Sequence, residues 1–366
     1  MRTPAHQLDD LLQAEALTFD TPLGKDLFKP YRFFGIEQLC GGTRYRVHCT
    51  VDSAERAGLS DKLADLLTEP ATLLFKPDSY ERETWQYFAG HISHIRERHH
   101  GGHRVIVDLS SPFELLRHEH RRGTYLGQSV IEILQSIFER HHIRHRFDRL
   151  RAEYPPLEFV VQYDENTYDF ARRIMSEWGL YDFMRLEQKE AMGLAEPTLV
   201  ISDHAQSYLA GGKTPLRDEY IGGTLHRRIK EWRYVCASER TVSPGYVMGA
   251  ACGPEPGQYY RELNQSGPHH RQTYCRVDYP EGYWQRWEAL SWGRLHQAHY
   301  RVILQSAHPE FRLATVWPIQ YGADDETVEP LMLYRVRHRI LTTADGRLKH
   351  YRNKSEGRPG EQRYYP

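Results

Sequence analysis

Cysteine is scarce in this chain: five in 366 residues, at Cys40, Cys49, Cys236, Cys252 and Cys275. No CxxC pair occurs, and an odd number at wide spacing favours packed, reduced thiols over a disulfide framework. Only Cys40 and Cys49 stand where they could face each other across a hairpin. No apolar run approaches the roughly 20 residues of a membrane helix, which argues against a membrane anchor. The opening MRTPAHQLDDLLQAEALTFD lacks the apolar centre of a secretory signal. The expectation is assembly in the cytoplasm, with any export by another route. An excess of either charge is missing too: 48 Lys+Arg stand against 49 Asp+Glu, net −1. The basic clusters Arg96–Arg98, Arg117–Arg122 and Arg144–Arg151 are offset by acids elsewhere, so nucleic acid is not the expected partner. No repeat of fixed period and no low-complexity tract is present.

What is present is a chain of two or three domains with 40% hydrophobic residues, ample for a core. Residues 1 to about 20 read as a short amphipathic segment. Tyr31–Gln38 and Tyr45–Val51 flank a CGGT turn, the outline of a hairpin. Asp61–Leu67 reads as a small helix. Ala71–Phe75, Trp85–Arg96 and His103–Leu109 read as strands, the last two joined by the turn HHGG. Many short strands at regular spacing indicate a barrel or sandwich. Leu126–His141 reads as a helix with Gln128–Ser129 at its start and Val130, Ile133, Leu134, Ile137 and Phe138 as its apolar stripe. Strand Phe159–Tyr163 leads through Asp164, Glu165, Asn166 and Thr167 into a helix with Phe170, Ile174 and Trp178 on one face. Gly179 ends that helix and a strand follows over Leu180–Leu186. Beyond lie a loop (Gln188–Pro197), a strand Thr198–Ser202, a Gly-rich crossing Ala210–Gly223 and β sequence from Thr224. Pro/Gly-rich interruptions fall at Ser243–Gly257 and Asn264–Pro268. A helix over Glu281–His299 with Trp284, Trp287, Leu290 and Leu295 is expected, then strands Val302–Gln305, Leu331–Arg339 and Leu348–Tyr351. The fold class is mainly β (α+β): two barrel-like domains with helical insertions. The boundaries are 1–115, 116–225 and 226–366.

Each chemical site proposed by pattern fails its own requirement. Ser207–Thr214, SYLAGGKT, has Gly212, Lys213 and Thr214 of a phosphate loop, but Ser207 stands at the first glycine and Pro215 follows. His91, His94, His99, His100 and His103 crowd one hairpin, yet strand alternation turns His91 and His94 apart unless a bulge intervenes. They read as an exposed polar tip. His141, His142 and His145 suit the cation-favouring end of a helix. Asp324, Asp325 and Glu326 lack the spacing of a calcium loop. No G-x-S-x-G elbow and no HExxH helix is present. No residue is assigned as catalytic, cofactor-binding or metal-ligating, and the chain is expected to be no enzyme.

The stretch VVQYDENTYDFARRIMSEWGLYDF, Val160–Phe183, resembles the signature of VgrG proteins, the spike hubs of type VI secretion systems. Phe33–Glu37 resembles the family's F-x-G-x-E. Phe88 to Ile92, Tyr125–Leu134, Tyr154–Pro155 and Thr198–Asp203 are similar to further family segments in the same order. Tyr351–Pro366, YRNKSEGRPGEQRYYP, is similar to Y-x-N-x-F-x-A-x-P-x-x-x-x-Y-R-P. Asp182 stands where the family usually has an aromatic, Ser355 replaces a phenylalanine, and Tyr234 to Leu304 matches weakly. The resemblance implies a phage tail-hub-like fold and a structural hub that adapts a hexameric tube to a trimeric puncturing needle. A baseplate hub of a contractile-tailed prophage is the alternative. It further implies a homotrimer, a hexameric Hcp-like tube protein, baseplate components and a spike tip or effector as partners, with secretion through the apparatus. The family's OB-fold and β-helical needle would follow where this sequence stops, so association of this piece alone is expected to be weak or absent.

Overall fold

The computed structural model describes residues 15–52, 59–77, 85–98, 103–186, 194–212, 215–218, 228–236, 242–249, 258–262, 270–276, 286, 290, 293–294, 300–320, 328–360 and 364. The chain is mainly β. Its first part is a curled antiparallel sheet of β1 (Leu17–Asp20), β2 (Lys29–Gln38), β3 (Gly42–Thr50), β4 (Pro70–Phe75), β5 (Gln86–Arg98) and β6 (Arg104–Ser110), in the order β1-β4-β5-β6-β3-β2. Helix α1 (Leu59–Asp65) lies between β3 and β4. The expected hairpin is β2–β3. Its turn puts Cys40 at φ 53° and Gly42 at φ 77°. A Cβ on Gly42 would fall 2.6 Å from the Glu114 carboxyl carbon, so only glycine fits that turn.

Alternation decides the faces of this sheet. Phe33, Tyr45, Val47, Cys49 and Phe88 point inward, and the rings of Phe33, Tyr45 and Phe88 meet at 4.6 to 5.6 Å. Leu17 and Phe19 are fully buried in the same core, so the opening segment ends in a strand.

A helical unit follows. It holds α2 (Pro112–Leu115), β7 (His120–Gln128), α3 (Val130–Arg140), β8 (His145–Phe147), β9 (Leu157–Asn166), α4 (Thr167–Glu177), β10 (Tyr181–Arg185) and β11 (Thr198–Ser202). α3 starts four residues later than its apolar pattern suggests. Ser129 is an extended cap whose hydroxyl accepts from Glu132 N, while Glu132 Oε2 accepts from Ser129 N at 2.7 Å, a complete capping box. Leu126–Gln128 therefore belongs to β7, a strand that periodicity did not reveal. α4 is capped by Asn166, whose Oδ1 accepts from Asp169 N at 2.8 Å. Gly179 ends it at φ 68°, with Leu180 N donating to Met175 O at 2.8 Å. The two helices bury Ile133, Ile137, Phe138, Phe170 and Ile174 against Phe113 and Trp178.

The last part comprises β12 (Leu209–Ala210), β13 (Leu216–Asp218), β14 (Arg228–Cys236), β15 (Val242–Gly249), β16 (Gln258–Glu262), β17 (His270–Arg276), β18 (Tyr300–Ser306), β19 (Thr315–Gln320), β20 (Val328–Thr342) and β21 (Leu348–Pro359). β15 to β17 form their own sheet, with β15 running through Ser243–Gly249, where an interruption was expected. The other pairings return on themselves: β20 pairs β21, then β18, β14, β13, β19 and again β20. The first sheet has no such cycle among the described residues. Its rim strand is tied to the β20–β21 turn by Ala16 N donating to Gly346 O at 3.0 Å. β20 serves both parts: Val328–Met332 pairs β19 and Arg335–Leu341 pairs β2. The HHGG turn, Gln188–Gly193, Asn264–Pro268, Asp324–Glu326 and most of Glu281–His299 lie outside the described residues; Leu290 within the last is buried.

Candidate assembly surface

The QYDE strand is half of a two-stranded ribbon. β9 pairs β7 with Tyr125 opposite Val160, Leu126 opposite Phe159 and Thr124 opposite Val161. One face packs inward. Tyr125 stacks on Phe170 at 5.5 Å, and buried Gln162 donates through Nε2 to Glu165 O and Thr167 Oγ1, each at 3.3 Å. The other face is uncovered: Leu126 is 69% exposed, Phe159 58% and Tyr163 67%, with Val161 beside them. Gln162 and Glu165 flank a bulge in which Asp164 takes φ 52°, which re-aims Tyr163. Arg122 covers part of Tyr163 at 5.1 Å. Both strands are edges, so the ribbon combines a contiguous apolar face with open backbone groups. Surfaces of that kind mark sites of protein association.

The charged residues of the motif are clamps. Glu165 takes a two-point hydrogen bond from Arg173 at 2.6 and 3.2 Å, and the same guanidinium donates to Val161 O at 2.9 Å, fastening β9 to α4. Arg172 forms an ion pair with Asp182, which is 2% exposed, and donates to Tyr168 OH at 3.1 Å. Asp182, a departure from the resemblance, is thus matched by Arg172. Burial pushes the Asp182 carboxyl up while Arg172 opposes it. Asp182 O in turn accepts from Cys40 N at 3.0 Å, joining the helical unit to the first hairpin. Burial, then Asp182, pushes the Cys40 thiol up to about 12, the reverse of a reactive cysteine. Cys40 and Cys49 are both free.

A second buried cluster escaped the sequence reading. Glu37, on the inner face of β2, accepts from Tyr45 OH at 2.7 Å and from Leu313 N at 3.3 Å, and pairs with Arg312 at 2.8 Å. Arg312 also donates to Tyr87 O at 2.9 Å. Burial raises the Glu37 carboxyl, but Arg312, His338 and the Tyr45 hydroxyl outweigh it and hold it below its ordinary value. Buried His338, pushed down to about 4 chiefly by burial, meets Phe88 edge-on at 5.0 Å and lies 3.2 Å from Tyr351 OH. A signal was available: F-x-G-x-E puts Glu37 in register with inward Phe33, and an acid on a buried strand face requires a partner.

The pattern-based sites resolve into structure. A Cβ on Gly211 would lie 2.2 Å from the Trp317 indole, and Ser207 is buried with its Oγ 2.7 Å from Ser202 Oγ. The glycines there serve close packing on Trp317; Lys213 and Thr214 lie outside the described residues. A register shift between Ile92 and His94 supplies the bulge that alternation required, but His94 stays exposed. His103 is buried, with Nε2 3.5 Å from Glu97 Oε1, so it does not belong to an exposed tip. His141 sits 3.0 Å from Glu119 at the end of α3. His145 Nδ1 donates to Ile143 O at 2.8 Å. Among the described residues no group of His, Cys, Asp or Glu could hold a metal, and no helix is long and apolar enough to cross a membrane.

The family description of the phage tail baseplate hub (GPD) matches residues 36–342. The chain belongs to that family. Among curated relatives, the type VI secretion system spike protein VgrG1a of Pseudomonas aeruginosa is 27% identical over 349 residues, 89% of this chain and 50% of that protein. VgrG1b of the same organism is 25% identical and covers 91% of this chain and 45% of its own length. The chain thus spans about half the length of the spike relatives it matches. Among solved structures, the E. coli c3393 protein, described as a component of the type VI secretion system with similarity to T4 bacteriophage tail proteins, shares the fold at TM-score 0.64 and 16% identity, over 93% of this chain and 76% of that one. A tail protein from Neisseria meningitidis MC58 shares it at TM-score 0.62 and 11% identity, over 94% and 96%. A 43 kDa tail protein of prophage MuSo2 from Shewanella oneidensis does so at 0.59 and 11%, over 94% and 98%.

Proposed function

We propose that this chain is the hub portion of a type VI secretion spike, adapting a hexameric tube to a trimeric puncturing needle. The observation that carries this reading is the alignment with VgrG1a along 89% of the chain. The role is mechanical. Each chain offers two β units that share β20, so a ring of three would present six units to a sixfold tube while keeping threefold symmetry for a needle. The three-part order, 1–115, 116–225 and 226–366, belongs to the same proposal. The uncovered face of β7 and β9 contacts a neighbouring subunit, since contacts between copies in a permanent ring are more apolar than those with transient partners. The tube protein, baseplate components and a tip or effector are the remaining partners. No catalytic step is assigned, because the motif's charged residues are engaged as internal clamps. The hub assembles in the cytoplasm and leaves through the apparatus it helps to build.

Deleting the gene tests this. Tube protein should vanish from the culture medium, wild-type chain should restore it, and a Leu126→Ser/Phe159→Ser chain should not. The second reading, a prophage baseplate hub, is favoured by one observation: the Neisseria and Shewanella tail proteins are covered along 96% and 98% of their lengths. Under that reading the deletion leaves tube release intact and instead removes contractile particles after DNA damage.

A further inference from the structure

The outer face of the first sheet carries a concentration of positive charge that a net charge of −1 hides. Cross-strand registers line up its rows. One runs Arg352, Arg339, Phe34, Arg46, Asp108 and His94 across β21, β20, β2, β3, β6 and β5. The next begins Lys354, Arg337, Ile36 and Arg44. Three directly opposed pairs are like-charged: Arg339 with Arg352, Arg337 with Lys354, and Arg98 with Arg104. Like charges placed directly opposite one another destabilise a sheet. The local acids do not relieve them. Asp108 holds Arg46 at 2.7 Å and Arg96 at 2.5 Å, and Glu114 holds Arg44 at 2.9 Å. Arg337 and Arg339 have inward Nε groups without a hydrogen-bond partner. His48, in this field, is held below its ordinary value by burial and then by Arg32 and Arg46. Phe34, Ile36, Arg44 and Arg46 of this face line an open groove of about 730 Å³, bounded on its other side by Leu115, Arg117 and His118, and the pairs on β20 and β21 continue the same rows outside its lining.

We propose that this groove and the arginine rows beside it are a docking site for an acidic segment of a partner protein, whose carboxylates complete the like-charged pairs. Guanidinium forks match carboxylates at two points, and arginine with aromatic residues at the expense of lysine is the composition of a protein interface. Phe34 and Ile36 supply the apolar centre. Nucleic acid fits less well. A broad sheet face does not enter a duplex groove, which admits a helix or a two-stranded ribbon. Stacking of unpaired bases needs bare aromatic faces. Phe34 is already flanked by the guanidiniums of Arg32 and Arg339 at 5.8 and 5.7 Å. The proposal stands on charge and geometry and does not depend on the hub reading.

The test is fluorescence anisotropy with the full chain and two labelled probes, a glutamate-rich peptide and a DNA duplex, across a salt series. The glutamate peptide should bind, weaken steeply with salt, and lose at least tenfold affinity in Arg339→Glu and in Arg352→Glu. Arg121→Glu, on the ribbon, should leave it unchanged. Because Arg352→Glu turns a like-charged pair into an opposite one, its melting temperature should rise while binding falls, a combination that a merely structural arginine would not give. Equal peptide affinity in wild type and both face variants overturns the proposal. So does a duplex that binds more tightly than the peptide and is not displaced by it, which would make the face a nucleic-acid site. A lower melting temperature for Arg352→Glu overturns the account of uncompensated charge.

Discussion

Two exposed surfaces of this chain have opposite chemistry. The ribbon of β7 and β9 offers Leu126, Phe159, Val161 and Tyr163 to solvent, whereas the outer face of the first sheet offers arginine rows around Phe34 and Ile36. Both follow from strand alternation, with the buried face fixed by core packing and the outer face left to function. Apolar area suits a permanent neighbour, since its contribution hardly changes with salt. Unmatched charge suits a partner that is selected by complementarity and steered by the field. The proposed adaptor role calls for both kinds of contact.

The largest effect that can break this comparison is on the ribbon. Leu126→Ser/Phe159→Ser should abolish incorporation into the apparatus, measured by release of tube protein, while circular dichroism melts stay close to wild type. A collapsed melt would show that these residues are core after all. The next effect separates the two faces of the first sheet. Glu37 lies on the face opposite Ile36, so Arg312→Ala should leave a buried carboxylate without its cation and cost on the order of 3–5 kcal/mol in urea unfolding. A cost below about 1 kcal/mol would mean that the cluster is well hydrated.

Acid sharpens the contrast. His338 titrates at about 4 when folded, against an ordinary value of 6.5. The unfolded chain therefore binds the proton first, and stability is full above pH 6.5 and declines as pH falls toward 4. The loss is on the order of 3 kcal/mol. The Glu37 carboxyl, held low in the fold, adds a loss in the same direction below its unfolded value. Urea midpoints from pH 7 to pH 4 should show this fall in wild type and a flatter profile in His338→Phe. An identical slope in both would remove His338 from the account. The smallest effect lies beneath the ribbon: Ser129→Ala breaks the α3 capping box and should cost about 1 kcal/mol without altering either surface.

Much of this was legible in the sequence. The β2–β3 hairpin, β11 and the capped, glycine-terminated α4 follow from local rules that act within a few residues. The resemblance carried by Val160–Phe183 led to the right family because that segment builds a complete local unit, ribbon, helix and return strand. What escaped was set over long range. β7 contains Arg121, Arg122 and Gly123, shows little apolar alternation, and becomes a strand by pairing with β9. Glu37 and Arg312 meet across 275 positions. The arginine face is spread over strands from both ends of the chain, so no window of sequence shows its charge. Buried His103 was misread because its neighbours His99 and His100 suggested a polar tip.

Light scattering of the purified chain across a concentration series, at low and at high salt, tests the central claim most directly. The account predicts at most weak self-association toward three times the monomer mass, little changed by salt and absent in Leu126→Ser/Phe159→Ser. A stable dimer, a trimer that persists at nanomolar concentration, or association that disappears with salt yet survives in the double variant would contradict it.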